Sequence, residues 1–179
     1  MDITILKPLG AEISGLDLNI LSEDDIIKIR QCFLDNLVLV FRNQKLNPSQ
    51  LKNISNLWGK PLVHPVFKGI EGHPEIIEIR NYGEKYHTNA HWHSDVTFEE
   101  SPPDATLLYS LVVPEVGGDT LFSNQYLAYD DLDHDLKSEL SEKIAIHSNI
   151  GVLMLSGGDL KDAKSCLLYT SPSPRDTNE

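Results

Sequence analysis

The sequence predicts a mixed protein of helices and strands, the α+β class, from three patterns. Ser22 precedes three acidic residues, and apolar residues then recur every three or four positions, which is typical of a capped amphipathic helix over 22–36. The continuous apolar run 37–41 predicts a strand that is buried on both faces. Other short segments alternate between apolar and polar residues, which is the period of a half-buried strand.

The remaining elements follow from the same kinds of signal. Asn47 followed by Pro48 predicts the start of a second helix, and Gly59 predicts its end. Two short helices are predicted between 124 and 140, the first capped by Ser123 or Asn124. The segments predicted to be extended are residues 3–6, 11–18, 75–80, 91–98, 105–113 and 120–122.

The composition excludes several classes of protein. Lys and Arg total 15 against 27 acidic residues, and the net charge of −12 argues against nucleic acid or an anionic membrane surface as a partner. No apolar run is long enough for a signal peptide or a membrane span. The two cysteines, Cys32 and Cys166, form no disulfide framework. We therefore expect a soluble protein of the cytoplasm, with no nucleic-acid or membrane partner.

The C-terminal end differs from the rest of the chain. Residues 166–179 lack the periodicity of the preceding sequence and resemble a translated cloning adapter. We expect this tail to be non-native and disordered. Residues 1–165 are then the N-terminal portion of a single domain that continues in a longer native protein.

His93 and Asp95 are the strongest candidate for chemistry. In an extended segment, residues at i and i+2 point to the same side, so both side chains could bind one metal ion. One imidazole and one carboxylate suit an iron-type divalent ion, and a second His from elsewhere would complete a 2-His-1-carboxylate triad. Trp92, Val96 and Phe98 would supply apolar walls. The alternative is a strand that carries two polar residues on its wet face.

A zinc site is a second alternative. His87, His91 and His93 have the spacing H-x3-H-x-H, and His91 could join His93 and Asp95 on one side of an extended chain. No cysteine and no spaced histidine pair completes a familiar structural zinc site, so this pattern is a weak signal.

Three segments, in this order and spacing, resemble the taurine dioxygenase family of iron(II)- and 2-oxoglutarate-dependent oxygenases. They are Trp-His-Ser-Asp-Val-Thr-Phe at 92–98, Ser-Pro-Pro at 101–103 and Gly-Gly-Asp-Thr-Leu-Phe at 117–122. The resemblance implies a jelly-roll-like double-stranded β-helix with N-terminal helices, truncated here at its C-terminus. It also implies hydroxylation of a small anionic substrate, such as taurine, another sulfonate or a sulfate ester. The reaction would use Fe(II), O2 and 2-oxoglutarate, which is decarboxylated to succinate.

A non-catalytic cupin-like binding or sensing protein is the rival interpretation.

The resemblance also implies roles for individual residues. His93 and Asp95 match the iron ligands, and Thr120 and Asn89 match positions that contact the 2-oxoglutarate cosubstrate. The positions that match the substrate site are His64, Phe67 and Val96. Phe67 stands where the taurine enzyme has a Tyr, so one hydrogen-bond donor to a sulfonate is lost and a different substrate is favoured. An ordinary strand threonine and an ordinary loop histidine remain the alternatives for Thr120 and His64.

The family's second His ligand and its 2-oxoglutarate Arg are expected beyond this chain. His147 is not the missing ligand, because the family's distal His follows a second set of strands. We therefore expect the fragment to be inactive by itself. Family members often form homo-oligomers, which we expect only of the full-length protein.

Overall fold

The computed structural model describes residues 1–80 and 91–169. The chain divides into two compact units, each built from two stretches of sequence. Unit 1 comprises residues 1–59 and 107–132, and unit 2 comprises residues 60–106 and 133–179. Both units contain helices and strands, so the predicted mixed class is confirmed.

Unit 1 contains a three-stranded sheet in the order β1 (Asp2–Ile5), β2 (Ala11–Ser14) and β3 (Leu39–Phe41). β1 pairs with β2 in antiparallel orientation, and β2 pairs with β3 in parallel orientation. In the central strand Ala11 and Ile13 are 0% and 1% exposed. Because these residues are two positions apart, they lie on the same face of β2, and that face forms the core of the unit.

Helix α1 (Glu23–Asn36) packs against β2 and β3, as the periodicity of its apolar residues predicts. Its N-terminus has a capping box, in which the Ser22 hydroxyl accepts from the Asp25 amide and the Asp25 carboxylate accepts from the Ser22 amide. The hydrogen bonds from Ser22 lower the pKa of the Asp25 carboxyl. Ile29 and Cys32 join the buried cluster on β2.

The C-terminus of α1 explains why the strand predicted over 37–41 is shorter than expected. Leu37 adopts a left-handed backbone with φ of 67°, and its amide donates to the Phe33 carbonyl. This residue therefore ends the helix and cannot begin a strand. β3 starts two residues later, at Leu39.

The second predicted helix is confirmed as α2 (Pro48–Ser55), followed by one 3-10 turn over Asn56–Trp58. Asn47 accepts from the Gln50 amide at 2.9 Å, and Gln50 accepts from the Asn47 amide at 2.8 Å. This reciprocal pair satisfies two backbone donors at the helix start. Gly59 ends the turn with φ of 124°, a value that glycine adopts more readily than other residues.

The second stretch of unit 1 contains α3 (Gln125–Asp130), capped by Asn124 as one of the two predicted alternatives. The Tyr109 hydroxyl donates to the Gln44 carbonyl at 3.3 Å and accepts from the Leu46 amide at 3.2 Å, so this stretch is tied to the segment before α2.

The strands predicted over 105–113 and 120–122 are wrong, since neither segment pairs with another strand in the described part of the chain. An alternating or apolar sequence has side chains that suit a strand. A strand also needs a neighbouring strand for its backbone hydrogen bonds, and the segment's own sequence does not determine that neighbour.

Unit 2 has two helices and a pair of strands in its second stretch. They are α4 (His134–Ser141), β4 (Ile144–Ser148), α5 (Ile150–Ser156) and β5 (Ser165–Tyr169). β4 and β5 pair in antiparallel orientation. The Asn149 side chain is 1% exposed and holds the connection between α5 and β5. It accepts from the Lys164 amide at 2.7 Å and donates to the Asp162 carbonyl at 3.2 Å.

Two expectations for unit 2 need correction. The strand predicted over 75–80 is absent, because the backbone of Ile76 is engaged in a local turn with Ile70 and His73. Residues 166–169, the start of the tail that we expect to be disordered, belong to β5 because their backbone pairs with β4. The non-native origin of residues 166–179 stays a prediction.

No helix among residues 1–80 and 91–169 combines the length and the apolar character needed to cross a bilayer.

The core of unit 1 gives a matched test of burial within one helix. Ile29 is 0% exposed and Ile27, two residues earlier, is 65% exposed. Ile29→Ala should lower the free energy of unfolding by about 2–4 kcal/mol, because it removes buried surface and leaves a cavity. Ile27→Ala should change it by about 0.5 kcal/mol or less. Urea denaturation of both variants checks this, and equal losses would contradict the packing described for α1.

Candidate metal centre

His93 and Asp95 face each other in unit 2. His93 Nε2 lies 3.2 Å from Asp95 Oδ1, and the two side chains are 50% and 47% exposed. The extended conformation predicted for 91–98 is wrong, because residues 95–98 form a turn. The pair therefore lies in an irregular segment directly before a turn, and does not use the two-residue repeat of a strand.

Val96 adopts the unusual backbone conformation of this turn. Its φ is 54°, in the left-handed region, where a residue with a Cβ costs about 1–2 kcal/mol. The Val96 carbonyl accepts from the Glu99 amide at 3.1 Å, which closes the turn. A strained conformation of this kind persists only where the surrounding contacts determine it.

Two contacts from the second stretch of unit 2 hold the turn. His147, in β4, has its Nδ1 2.8 Å from the Thr97 hydroxyl. Lys164 forms an ion pair with Glu99, with Nζ 2.7 Å from Oε1. Phe98, between the two anchored residues, is 7% exposed. The turn is therefore attached both to β4 and to the segment that precedes β5.

The orientation of each side chain in the pair is supported by a further hydrogen bond. His93 Nδ1 lies 2.7 Å from the His91 carbonyl oxygen. Because a carbonyl can only accept, Nδ1 carries the proton and donates. On the other side of the pair, the Thr106 hydroxyl donates to Asp95 Oδ2 at 2.9 Å. The atoms left to face each other are His93 Nε2 and Asp95 Oδ1.

The facing atoms suit a divalent cation. With its proton on Nδ1, the neutral imidazole of His93 presents a lone pair at Nε2, and the carboxylate oxygen opposite also presents lone pairs. Two such atoms at 3.2 Å are brought together by a positive charge, which is either a second proton on the imidazole or a metal ion. In an octahedral site with bonds of about 2.1 Å, adjacent ligand atoms lie about 3.0 Å apart. The donor set and the spacing therefore fit a first-row divalent ion.

His64 lies within electrostatic reach of the pair. The backbone amides of Val66 and Phe67 both donate to its Nδ1 at 3.0 Å, and its ring centroid lies 4.8 Å from that of Phe67. Burial lowers the pKa of His64, and the charges of Asp95 and Glu99 oppose that shift. Because Nδ1 accepts, the neutral ring carries its proton on Nε2 and can donate a hydrogen bond to an anion.

The apolar walls predicted around the pair are present only in part. Phe98 is buried and Val96 is partly buried. Trp92 is 70% exposed, so its predicted role as a wall is wrong for this structure. A tryptophan flanks the pair in sequence, but residues 91–94 have no regular structure that would turn it inward.

The comparison with known protein families decides the assignment. The family described as Taurine catabolism dioxygenase TauD, TfdA family matches residues 2–153. The chain belongs to this family.

Individual relatives agree with the TauD/TfdA assignment. The chain is 35% identical over 143 residues to an alkylsulfatase of Acinetobacter baylyi, covering 79% of this chain and 44% of the relative. It is 34% identical over 145 residues to an alpha-ketoglutarate-dependent sulfate ester dioxygenase of Pseudomonas putida, covering 79% and 47%. The crystal structure of a taurine dioxygenase from Burkholderia xenovorans matches with a TM-score of 0.71 and 34% identity, over 82% of this chain and 52% of that one. The chain spans about half the length of these relatives.

The remaining residues that match positions of the TauD/TfdA site lie in different parts of the chain. Thr120 lies in an exposed segment of unit 1, and His93 belongs to unit 2. Asn89 and His87 lie outside the described residues. The His91 side chain is exposed, and within 1–80 and 91–169 no group of three His, Cys, Asp or Glu residues is placed to hold a metal.

Sequence reasoning missed the residues that support the pair. Thr106 lies 11 positions after Asp95, and His147 lies 50 positions after Thr97. No local pattern marks a hydroxyl or an imidazole as a partner over such distances. The sequence indicated only that His147 lies in an alternating segment. That pattern fits a surface histidine and a core histidine equally well.

The environment of His64 makes its titration a test of the geometry. We expect an NMR titration to give His64 a pKa below the ordinary value of about 6.5, because burial disfavours the imidazolium. Glu99→Gln should lower that pKa further, since it removes a charge that raises it. Glu139→Gln, which removes a carboxylate of α4 that does not act on His64, is the matched control.

The sign of the accompanying stability change follows. Between the folded and unfolded pKa values of His64 the unfolded chain binds more protons, so stability rises with pH in that window. It is greatest above about pH 6.5 and falls as the pH drops toward the folded-state pKa. A folded-state pKa above the ordinary value would contradict the burial of this ring.

Proposed function

We propose that the complete protein is an Fe(II)- and 2-oxoglutarate-dependent dioxygenase. It hydroxylates a small anionic substrate, which is taurine, another sulfonate or a sulfate ester, and converts 2-oxoglutarate to succinate. The observation that carries the proposal is the approach of His93 Nε2 to Asp95 Oδ1 at 3.2 Å, in a chain that belongs to the TauD/TfdA family. The names of the relatives, which include a sulfate ester dioxygenase, support the substrate class.

His93 and Asp95 would hold the iron, with a second histidine from the remainder of the complete protein. The bound iron, together with 2-oxoglutarate and O2, would supply the oxidising chemistry. The protein's own contribution is orientation: the His91 carbonyl keeps the proton on His93 Nδ1, and Thr106 engages the oxygen of Asp95 that faces away from His93. Because two ligands hold a metal weakly, we expect the present chain to be inactive by itself.

The substrate would be bound by the group around His64. Its Nε2–H can donate to a sulfonate or sulfate oxygen, and the lowered pKa keeps the ring neutral. Val96 and Phe67 would line the same pocket, while Thr120 and Asn89 would contact 2-oxoglutarate. Phe67 brings a ring but no hydroxyl beside His64, which favours a substrate that needs one fewer hydrogen bond than taurine.

We further propose that the complete protein forms a double-stranded β-helix. The segment 111–122 supports this proposal, because several of its apolar side chains are strongly exposed in unit 1. Val112 is 83%, Val113 71% and Val116 91% exposed. Large exposed apolar patches are usually covered by another structural layer, and in the complete protein the layer over these side chains would be further strands of the same domain.

Metal binding gives the first test, with Mn(II) as the probe. His93→Ala and Asp95→Ala should each weaken Mn(II) binding to this chain by about tenfold or more, because each removes a ligand. His91→Ala is the matched control: only its backbone carbonyl contacts His93, so affinity should stay within about twofold. Electron paramagnetic resonance of free Mn(II) measures the affinity. An equal loss in His91→Ala would favour the His-His-Asp alternative, and unchanged binding in His93→Ala would contradict the proposed ligands.

Activity is tested with the complete protein. Succinate formation with Fe(II), 2-oxoglutarate and either taurine or an alkyl sulfate should be abolished by His93→Ala and kept by His91→Ala. Binding of metal and 2-oxoglutarate with no turnover of any sulfonate or sulfate ester would instead favour the cupin-like binding or sensing protein.

Phe67→Tyr tests the basis of substrate choice in the complete protein. The added phenol should supply a donor to a sulfonate oxygen and raise kcat/KM for taurine by about tenfold relative to an alkyl sulfate. Phe122→Tyr makes the same chemical change at an exposed position of unit 1 and is the control. The same kcat/KM ratio in wild type and Phe67→Tyr would show that residue 67 does not contact the substrate anion.

A further inference from the structure

We propose that Thr106 is a positioning residue for the candidate metal ligand Asp95: its hydroxyl holds one carboxylate oxygen so that the other faces His93. The inference rests on the proposed function, which makes Asp95 a ligand. It assigns a role to a residue outside the 92–98 segment, on the far side of the Ser-Pro-Pro loop.

The two oxygens of Asp95 have different partners. Oδ2 accepts from the Thr106 hydroxyl at 2.9 Å, while Oδ1 lies 3.2 Å from His93 Nε2. An ionised carboxylate has no proton to give, so the hydroxyl must be the donor. Rotation about χ1 of Asp95 would move the carboxylate away from the Thr106 hydroxyl and break this hydrogen bond. Thr106 therefore opposes other rotamers of Asp95 and keeps one of its two equivalent oxygens directed at His93.

Thr106 matters because the two ligands are oriented by different kinds of group. The partner of His93 Nδ1 is the backbone carbonyl of His91, which every residue type at that position supplies. The hydrogen bond to Asp95 Oδ2 comes from a side chain, and it is lost with one substitution. Asp95 is also 47% exposed, so water would compete for the released oxygen and the carboxylate would sample other orientations.

The expected consequence is a change in how the carboxylate binds a cation. With Oδ2 engaged by Thr106, a cation beside His93 would be contacted by Oδ1 alone, which leaves more positions for other ligands. Partners that orient metal ligands typically contribute about 10–100-fold in metal affinity. Because the hydrogen bond is exposed to solvent, we expect an effect at the low end, about tenfold.

Two substitutions separate the hydroxyl from the shape of the side chain. Thr106→Val keeps the branched shape and removes the donor, and Thr106→Ser keeps the donor and removes a methyl group. Mn(II) binding to this chain should weaken about tenfold in Thr106→Val and stay within about twofold of wild type in Thr106→Ser. Thr4→Val makes the same change at an exposed position of β1, in unit 1, and should bind Mn(II) as wild type does. Equal affinities in Thr106→Val and wild type, or equal losses in Thr106→Val and Thr106→Ser, would overturn the proposal.

A measurement without metal distinguishes failure of this inference from failure of the proposed function. NMR couplings that report the χ1 angle of Asp95 should indicate one rotamer in wild type and Thr106→Ser, and averaged rotamers in Thr106→Val. Identical couplings in wild type and Thr106→Val would overturn the role of Thr106, whatever the metal does. If Mn(II) binding is unaffected by His93→Ala while the Asp95 couplings change as expected, the proposed function fails and the positioning of Asp95 by Thr106 stands.

Discussion

The left-handed conformation at Val96 is the constraint on which the turn after the candidate pair depends. It redirects the chain directly after Asp95, so that Thr97 and Glu99 reach their partners in the second stretch of unit 2. The cost of a β-branched residue at this φ has to be offset by contacts elsewhere. The contacts of Thr97 with His147 and of Glu99 with Lys164 come from residues some 50 and 65 positions away. The site therefore forms only when the two stretches of unit 2 have come together, and its geometry reports on the folding of the whole unit.

The helices could be predicted from the sequence because their signals are local. The capping boxes at Ser22 and Asn47 lie within four residues of the backbone groups that they satisfy, and both helices start where those residues indicate. The strands were predicted less well because a strand forms only beside a partner strand, and the sequence of one strand does not identify that partner. Residues 105–113 have the composition of a buried strand and pair with no strand in the described residues. Residues 166–169 were predicted to belong to a disordered tail, yet their backbone pairs with β4.

The candidate site was identified from sequence for a reason that the structure corrects. His93 and Asp95 were expected to share one side of an extended segment, whereas they meet in an irregular segment directly before a turn. The prediction of these two residues does not require a strand, because residues two positions apart are close in many backbone conformations and the chemistry of an imidazole beside a carboxylate does not depend on the conformation. The contact of Thr106 with Asp95 could not be predicted in the same way, since the two residues lie 11 positions apart and a loop returns the chain to Asp95.

The charges around His64 affect the order in which the metal and an anionic substrate would bind in the proposed reaction. An anion approaching His64 meets the negative charges of Asp95 and Glu99, which both act on this imidazole. The ion pair with Lys164 at 2.7 Å compensates Glu99, whereas the Thr106 hydroxyl that contacts Asp95 brings no positive charge. A divalent ion held by Asp95 would reverse the sign of the local charge. An anionic substrate should therefore bind well only after the metal, with His64 donating a hydrogen bond from a neutral ring. The carboxylate proposed to hold the metal would therefore also disfavour an anionic substrate while the metal is absent.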